Sequence, residues 1–250
     1  MKRHYCDIND DIQKITVSVI GAGGTGSLLL QQLGRMNKGL ISLGSKGLHV
    51  RCFDHDTISK SNVWRQLFLE GDIGRNKAEC IISKVNTYYG FDWEAYPVKI
   101  KKDSPYCLSN ITIICVDNFD ARKNIYKTNP MNGGYEFKAK YIIDCGNSQF
   151  DGQVYLSTVL ASDQPKSSFE TVAVIKNPLQ EYGKNIYKTE DTNVPSCSLA
   201  EAINNQDLMI NQFVADFAAK MIWDMVRFKY IDYSAMFINL ETMFFSKKQL

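Results

Sequence analysis

Residues 54–77, DHDTISKSNVWRQLFLEGDIGRNK, place two acids, an asparagine, an arginine, a glutamine and a lysine downstream of a glycine loop, GAGGTGS, at residues 21–27. Gly21, Gly23, Gly24 and Gly26 lie between an apolar, β-branched run and a helical pattern. Glycines there let backbone N–H groups approach a phosphate, and the helix N-terminus adds partial positive charge. The alternative is a tight structural turn. Asp54 ends the second predicted strand, where the acid of a dinucleotide fold bonds the adenosine ribose; the alternative is a cap. Asp56 is a ligand or a turn residue. Arg65 and Lys77 suit charge stabilisation on phosphate oxygens, the main task of a protein in phosphoryl and nucleotidyl transfer. Taken alone, both also read as surface cations. Asp117 closes the run ITIICVD at the carboxyl end of a strand, the edge where α/β sheets bind ligands. It suits the magnesium that accompanies ATP, or an N-cap for the helix that follows. Cys197, in VPSCSLAEA, precedes a long helix. A thiol near a helix N-terminus is a good nucleophile; the alternative is a small buried hydrophobe. His4, His49 and His55 have no triad or metal spacing.

The elements that must position these residues alternate. Strands are predicted at 15–20, 49–54, 93–100, 111–117, 141–146 and 152–158, and helices at 28–36, 72–89 and 119–126, with a Gly- and Ser-rich connection at 39–47. Such alternation implies a largely parallel sheet with crossover helices. The rhythm stops at 162–196, a polar stretch with Pro165, Pro178 and Pro195 that reads as a long loop or crossover. Residues 207–228 then form a helix whose stripe of Phe213, Val214, Phe217, Ala218, Met221, Ile222, Met225 and Val226 reads as core packing, or less economically as a dimer face. Residues 236–245 close the chain as a strand or a pair of strands.

With 250 residues, 44% hydrophobic and 22% charged, the chain has the composition of a soluble globule with a substantial core. A net charge of +2 without a basic block gives no footprint for nucleic acid, and no apolar run has transmembrane length. Seven cysteines, an odd number with no CxxC pair, together with the lack of an export signal, point to a reducing cytoplasm and to no structural zinc.

Four motifs in order, GAGGTGS, D-x-D with SNVWRQ, DIGRNKAE, and a strand ending ICVDN, resemble the ThiF/MoeB/ubiquitin-activating-enzyme superfamily from residue 15 to about 152. The resemblance implies an α/β fold with a Rossmann-like, doubly wound mixed sheet: a nucleotide-binding core at 15–158, a crossover loop at 159–198, and a C-terminal helix with closing strands at 199–250. It also implies adenylation of the C-terminal glycine of a β-grasp, ubiquitin-like partner with ATP and magnesium. By position, Asp54 would hold the ribose, Asn62, Arg65 and Gln66 would face the phosphates, Lys77 would stabilise the α-phosphate, and Asp117 would coordinate magnesium. The spacer RMNKGLISLGSKGLHV, the segment NTYYGFDWEAYP and the C-terminal helix are similar to the ThiF-like proteins of PRTRC cassettes, gene clusters on bacterial mobile elements that also encode a small ubiquitin-like protein. Pro195–Ser198 looks like the P-x-C-T around the catalytic cysteine of eukaryotic activating enzymes, which implies a thioester on Cys197. A homodimer is implied as well. The chain departs from the family by lacking the two CxxC zinc pairs of many bacterial members. Its only arginine upstream of the first predicted strand is Arg3, where members often carry one that reaches the partner subunit's ATP. An NAD-dependent oxidoreductase fits the glycine loop and Asp54 but leaves Arg65, Lys77 and Asp117 without a task. A non-catalytic ATP-binding scaffold fits the same motifs.

Overall fold

The computed structural model describes residues 2–63, 65–101, 109–127, 139–183 and 206–250. In chain order the strands are β1 (Lys2–Tyr5), β2 (Ile15–Ile20), β3 (Leu48–Phe53), β4 (Glu94–Tyr96), β5 (Ile111–Ile114), β6 (Tyr141–Asn147), β7 (Asp151–Thr158), β8 (Glu170–Thr171), β9 (Tyr230–Ile231), β10 (Tyr233–Asn239) and β11 (Phe244–Gln249). The helices are α1 (Gly24–Ser42), α2 (Lys77–Tyr89), α3 (Phe119–Lys127), α4 (Pro178–Tyr182) and α5 (Ile210–Phe228).

Eight strands form one mixed sheet in the order β11-β10-β7-β6-β5-β2-β3-β4. The block from β6 to β4 is parallel, while β7, β10 and β11 add antiparallel steps at one side. The central strands are mostly apolar because both faces are covered, and the polar side chains they bury, Ser18, Arg51, Thr112 and Asp144, are hydrogen-bonded or paired. Their side chains divide with the two-residue period of a strand. Val17, Val19, Val50, Cys52, Ile111, Ile113 and Ile143 join the larger core with α1, α2 and α5. Ile20, Phe53, Ile114 and Ile142 join a smaller one with Ile125 of α3. Helices on both faces make the sheet doubly wound, as expected.

Several boundaries differ from the sequence reading, each for a local reason. Helix α1 runs through the expected connection to Ser42, because Leu33, Met36 and Leu40 continue its buried stripe and Gly39 lies against Trp223 of α5. Helix α2 starts at Lys77, not at residue 72. Residues 70–72 form a separate 3₁₀ turn, Gly74 has φ +87°, and the side chain of Asn76 accepts the Glu79 N–H at 3.1 Å as the true cap. Strand β4 has three residues, since Pro97 brings no N–H to continue the ladder. Helix α5 begins at Ile210, after an Asp207 turn onto the Met209 N–H. Within its stripe, Phe213 and Phe217 are only half-buried and meet Phe245 of β11. The closing segment is two strands, β10 and β11. A small second sheet, β8-β1-β9, ties the N-terminus to the crossover and to the end of α5; the sequence reading contained none of it. In the segment read as irregular, 162–196, the described part holds β8 and α4.

Candidate functional site

The loop after β2 is seated on the backbone of the neighbouring strands. Gly21 N–H donates to the Phe53 carbonyl and Cys115 N–H donates to the Ile20 carbonyl, both at 2.8 Å. Gly21 has φ +98°, and a Cβ there would lie 2.7 Å from the Cys115 oxygen; one on Gly26 would lie 1.9 Å from the Gly21 oxygen. The turn itself requires these two glycines. A Cβ on Gly24 would overlap the Asn211 amide. Gly23 is different, because a Cβ there would meet nothing within 4 Å. Gly23 is the N-cap of α1, with no side chain capping that end and no acid in the first turn. Open space therefore adjoins a helix N-terminus whose leading N–H groups carry partial positive charge.

Asp54 follows β3 and is joined directly to this loop. Its Oδ2 accepts the Ala22 N–H at 2.6 Å and its Oδ1 accepts the Asp56 N–H at 2.8 Å. Burial pushes its carboxyl above the usual carboxylate range, against the opposing pull of those two N–H groups and of Lys77. The Asn76 amide donates to the Asp54 carbonyl at 2.9 Å, which fixes the start of α2 beside it. That start carries Lys77, whose buried side chain reaches the exposed Asp56 carboxylate at 3.1 Å. Asp56 also faces His55 at 3.4 Å. Asp54, His55 and Asp56 form the only cluster of potential metal ligands among the described residues, and it contains no cysteine.

Between Asp54 and Lys77 the chain returns toward α1. Leu67 N–H donates to the Ser27 hydroxyl at 3.2 Å. Asn62 is buried, and its Oδ1 accepts the Ser59 N–H at 3.0 Å, so its carbonyl serves the local turn. Arg65 donates from Nη1 to Gln206 at 2.9 Å, and its Nε is buried with no partner among the described residues. The Oε1 of buried Gln66 is likewise without one. Two adjacent side chains thus present buried polar atoms that no described residue satisfies, an arrangement that native proteins keep for a reason. Burial lowers the Arg65 pKa, while the field of Asp117 raises it, so these two groups share one electrostatic environment. Asp117 is exposed beyond β5, and Asn118, not Asp117, caps α3 by accepting the Ala121 N–H at 2.8 Å. Beneath it, Arg122 pairs with Asp144 and donates to the Cys145 carbonyl at 2.8 Å, pinning α3 to the ends of the strands.

The structure therefore gathers the glycine loop, Asp54, Arg65, Gln66, Lys77 and Asp117 at the carboxyl edge of the parallel strands. Asn62 lies in the same segment with its oxygen already engaged. Cys197 lies outside the described residues. Arg3 is held within its own chain: its guanidinium sits 3.8 Å from the Phe169 ring centroid and 3.7 Å from that of Tyr230. The sequence reading missed Thr25, Asn147, Gln206 and Asn211. Thr25 Oγ1 and Asn147 Nδ2 both donate to Asn211 Oδ1, at 3.1 and 3.0 Å, and Asn211 donates to Gln206 at 3.0 Å. The signal was present, since Asn211 stands three residues before Val214 on the buried stripe of α5, a polar side chain on an apolar face.

A doubly wound sheet with a glycine loop at its carboxyl edge and an acid closing the next strand defines a Rossmann-like α/β domain. Residues 6–249 match the ThiF family, and the chain belongs to it. It is 46% identical over 74 residues to the Nedd8-activating enzyme E1 catalytic subunit of Drosophila melanogaster, covering 29% of this chain and 14% of that protein. It is 27% identical over 135 residues to ubiquitin-like modifier-activating enzyme 5 of Xenopus laevis, covering 46% and 31%. The matched regions thus span a third or less of these relatives. Among solved structures, E. coli MccB with ATP has a TM-score of 0.61 at 13% identity, covering 96% of this chain and 64% of that one. PaaA gives 0.62 at 15%, covering 96% and 65%. At these identities the likeness is one of fold. No helix of the described residues is long and apolar enough to cross a membrane.

Proposed function

We propose that the protein is an ATP-dependent adenylating enzyme acting on a carboxylate, and that the carboxylate is the C-terminal glycine of a small ubiquitin-like, β-grasp protein. The observation that carries the reading is the pair of buried polar atoms without a partner among the described residues, Arg65 Nε and Gln66 Oε1, beside a glycine-loop helix at whose N-cap, Gly23, a Cβ would meet no described residue within 4 Å. The close approaches at Gly21 and Gly26 account for the turn, and Gly23 takes no part in them. These features fit a phosphate-bearing ligand.

In this reading Asp54 accepts ribose hydroxyls with the lone pairs that Ala22 and Asp56 leave free, and it ties their position to the loop. The N–H groups at Gly23 and the first turn of α1 face the phosphates, together with Gln66 and the amide nitrogen of Asn62. Arg65 binds the outer phosphates. Asp117 would hold magnesium, which supplies charge neutralisation on the phosphate oxygens. Lys77, kept ordered by Asp56, stabilises the α-phosphate. An oxygen of the substrate carboxylate attacks the α-phosphorus, the bond to the β-phosphate oxygen breaks, and pyrophosphate leaves with that electron pair. The product is an acyl adenylate. Cys197 then attacks the acyl carbon as a thiolate, AMP leaves, and a thioester forms. We read residues 1–250 as one adenylation domain working as a homodimer in the cytoplasm without zinc, with a PRTRC-type ubiquitin-like protein as the natural partner.

The test is incubation with ATP, magnesium and a small ubiquitin-like protein of the PRTRC type. Pyrophosphate release that requires the partner is expected, and its absence refutes the proposal. Cys197→Ala should leave ATP–pyrophosphate exchange intact and remove a thiol-sensitive adduct; loss of exchange in a folded variant refutes the role given to Cys197.

A further inference from the structure

The hydrogen bonds around Asn211 extend the nucleotide site to side chains outside the sequence motifs. Asn211 is 4% exposed in the first turn of α5, and its amide makes three side-chain hydrogen bonds. Its oxygen receives Thr25 of α1 and Asn147 at the end of β6, and its nitrogen donates to Gln206. The oxygen of Gln206 in turn accepts Arg65 Nη1 at 2.9 Å. The chain of contacts therefore runs from the glycine-loop helix to the guanidinium without passing through a charged acceptor. That neutrality has a consequence. A carboxylate at position 206 would form a charge-assisted, bidentate-capable pair with Arg65 and cancel its charge. An amide oxygen orients the guanidinium and leaves its charge whole for an anion.

Resting on the nucleotide reading above, we propose that Gln206 and Asn211 are a positioning pair for Arg65, a neutral clamp that fixes its guanidinium relative to the first turn of α1 and so confers preference for a triphosphate over a monophosphate. Asn211 also fills the space over Gly24, where a Cβ would lie 2.5 Å from its Oδ1. Helix α5, the loop helix and Arg65 are thereby held in one register.

Titration calorimetry of the full chain with ATP and with AMP, both with magnesium, reads the effect as the ratio of the two affinities. Wild type is expected to prefer ATP. Gln206→Glu should unfold at the wild-type temperature or above it, because a carboxylate replaces an amide oxygen as the guanidinium's acceptor, yet lose about tenfold or more of its preference for ATP while AMP affinity holds. Gln206→Ala should lose part of that preference by releasing the guanidinium, and it serves as the readout should the glutamate variant fail to fold. A merely structural role would shift the unfolding temperature and move both nucleotides together. If wild type binds ATP and the variants discriminate as it does, this inference is wrong while the nucleotide reading stands. If wild type binds neither nucleotide, both fall.

Discussion

Replacing Gly23 with alanine separates the stability of the loop from its use. A Cβ at Gly23 meets nothing within 4 Å among the described residues, so the methyl group displaces none of them. At an N-cap, alanine is worse than glycine by up to about 1 kcal/mol, whereas removing a glycine from the unfolded chain gains about 0.4–1 kcal/mol. The two offset, leaving stability within about 1 kcal/mol of wild type and the melting temperature within about 4 °C for a chain of this size. The same methyl group occupies the opening where phosphate oxygens would approach the leading N–H groups of α1. Losing one charge-assisted bond there costs about 1.5–3 kcal/mol, or about ten- to a hundredfold in affinity. Thermal unfolding and calorimetric titration with ATP read the two quantities separately. Gly26→Ala is the contrast, since its Cβ would lie 1.9 Å from a backbone oxygen and must move the turn, at about 1–3 kcal/mol or more. A Gly23→Ala protein with wild-type stability and undiminished ATP affinity would show that the phosphates do not lie there.

Other consequences can be measured alongside. Because burial holds the Asp54 carboxyl above the usual range, ATP affinity should fall on acidification at a higher pH than an ordinary aspartate would cause, and Asp54→Asn should abolish that dependence. The same raised pKa means that protonation favours the fold, so the contribution of Asp54 to stability is fullest below its unfolded-state pKa and is lost as pH rises through the folded one; a stability–pH profile compared with Asp54→Asn reads it. Lys77→Ala should abolish pyrophosphate exchange and change stability by only about 0–1 kcal/mol, because Asp56, its partner, is half exposed and the pair is screened. Arg122→Ala should destabilise by about 3–5 kcal/mol in denaturant titration, since it takes the cation from the buried Asp144 carboxylate and leaves it the Tyr126 hydroxyl at 2.8 Å.

The parallel block was legible because β2, β3, β5 and β6 are buried on both faces and are rich in apolar, mostly β-branched residues, each next to a helical pattern. The glycine loop and Asp54 were legible because few residue types satisfy a sharp strand-to-helix turn that ends on an acid. What escaped depended on partners far apart in sequence. Strand β1 is four residues long and has no periodicity of its own; it exists because β8 and β9 pair with it. Helix α1 outran its expected end because α5, almost two hundred residues on, packs against Gly39. Arg65 and Lys77 carry no mark in sequence that separates them from surface cations; their burial is decided by the fold. Asn211 was visible as a polar residue on an apolar stripe, but its three partners come from α1, β6 and the residue that holds Arg65. Cys197 rests on its sequence context alone.

The central claim is that a carboxylate attacks the α-phosphorus of ATP, and oxygen transfer tests it most directly. A small ubiquitin-like protein, the proposed substrate, is prepared with heavy oxygen in its C-terminal carboxylate and incubated with the protein, ATP, magnesium and a thiol acceptor, and the released AMP is weighed by mass spectrometry. AMP that carries one heavy oxygen from the carboxylate, formed together with pyrophosphate, is expected. AMP or ADP without the label would contradict the claim.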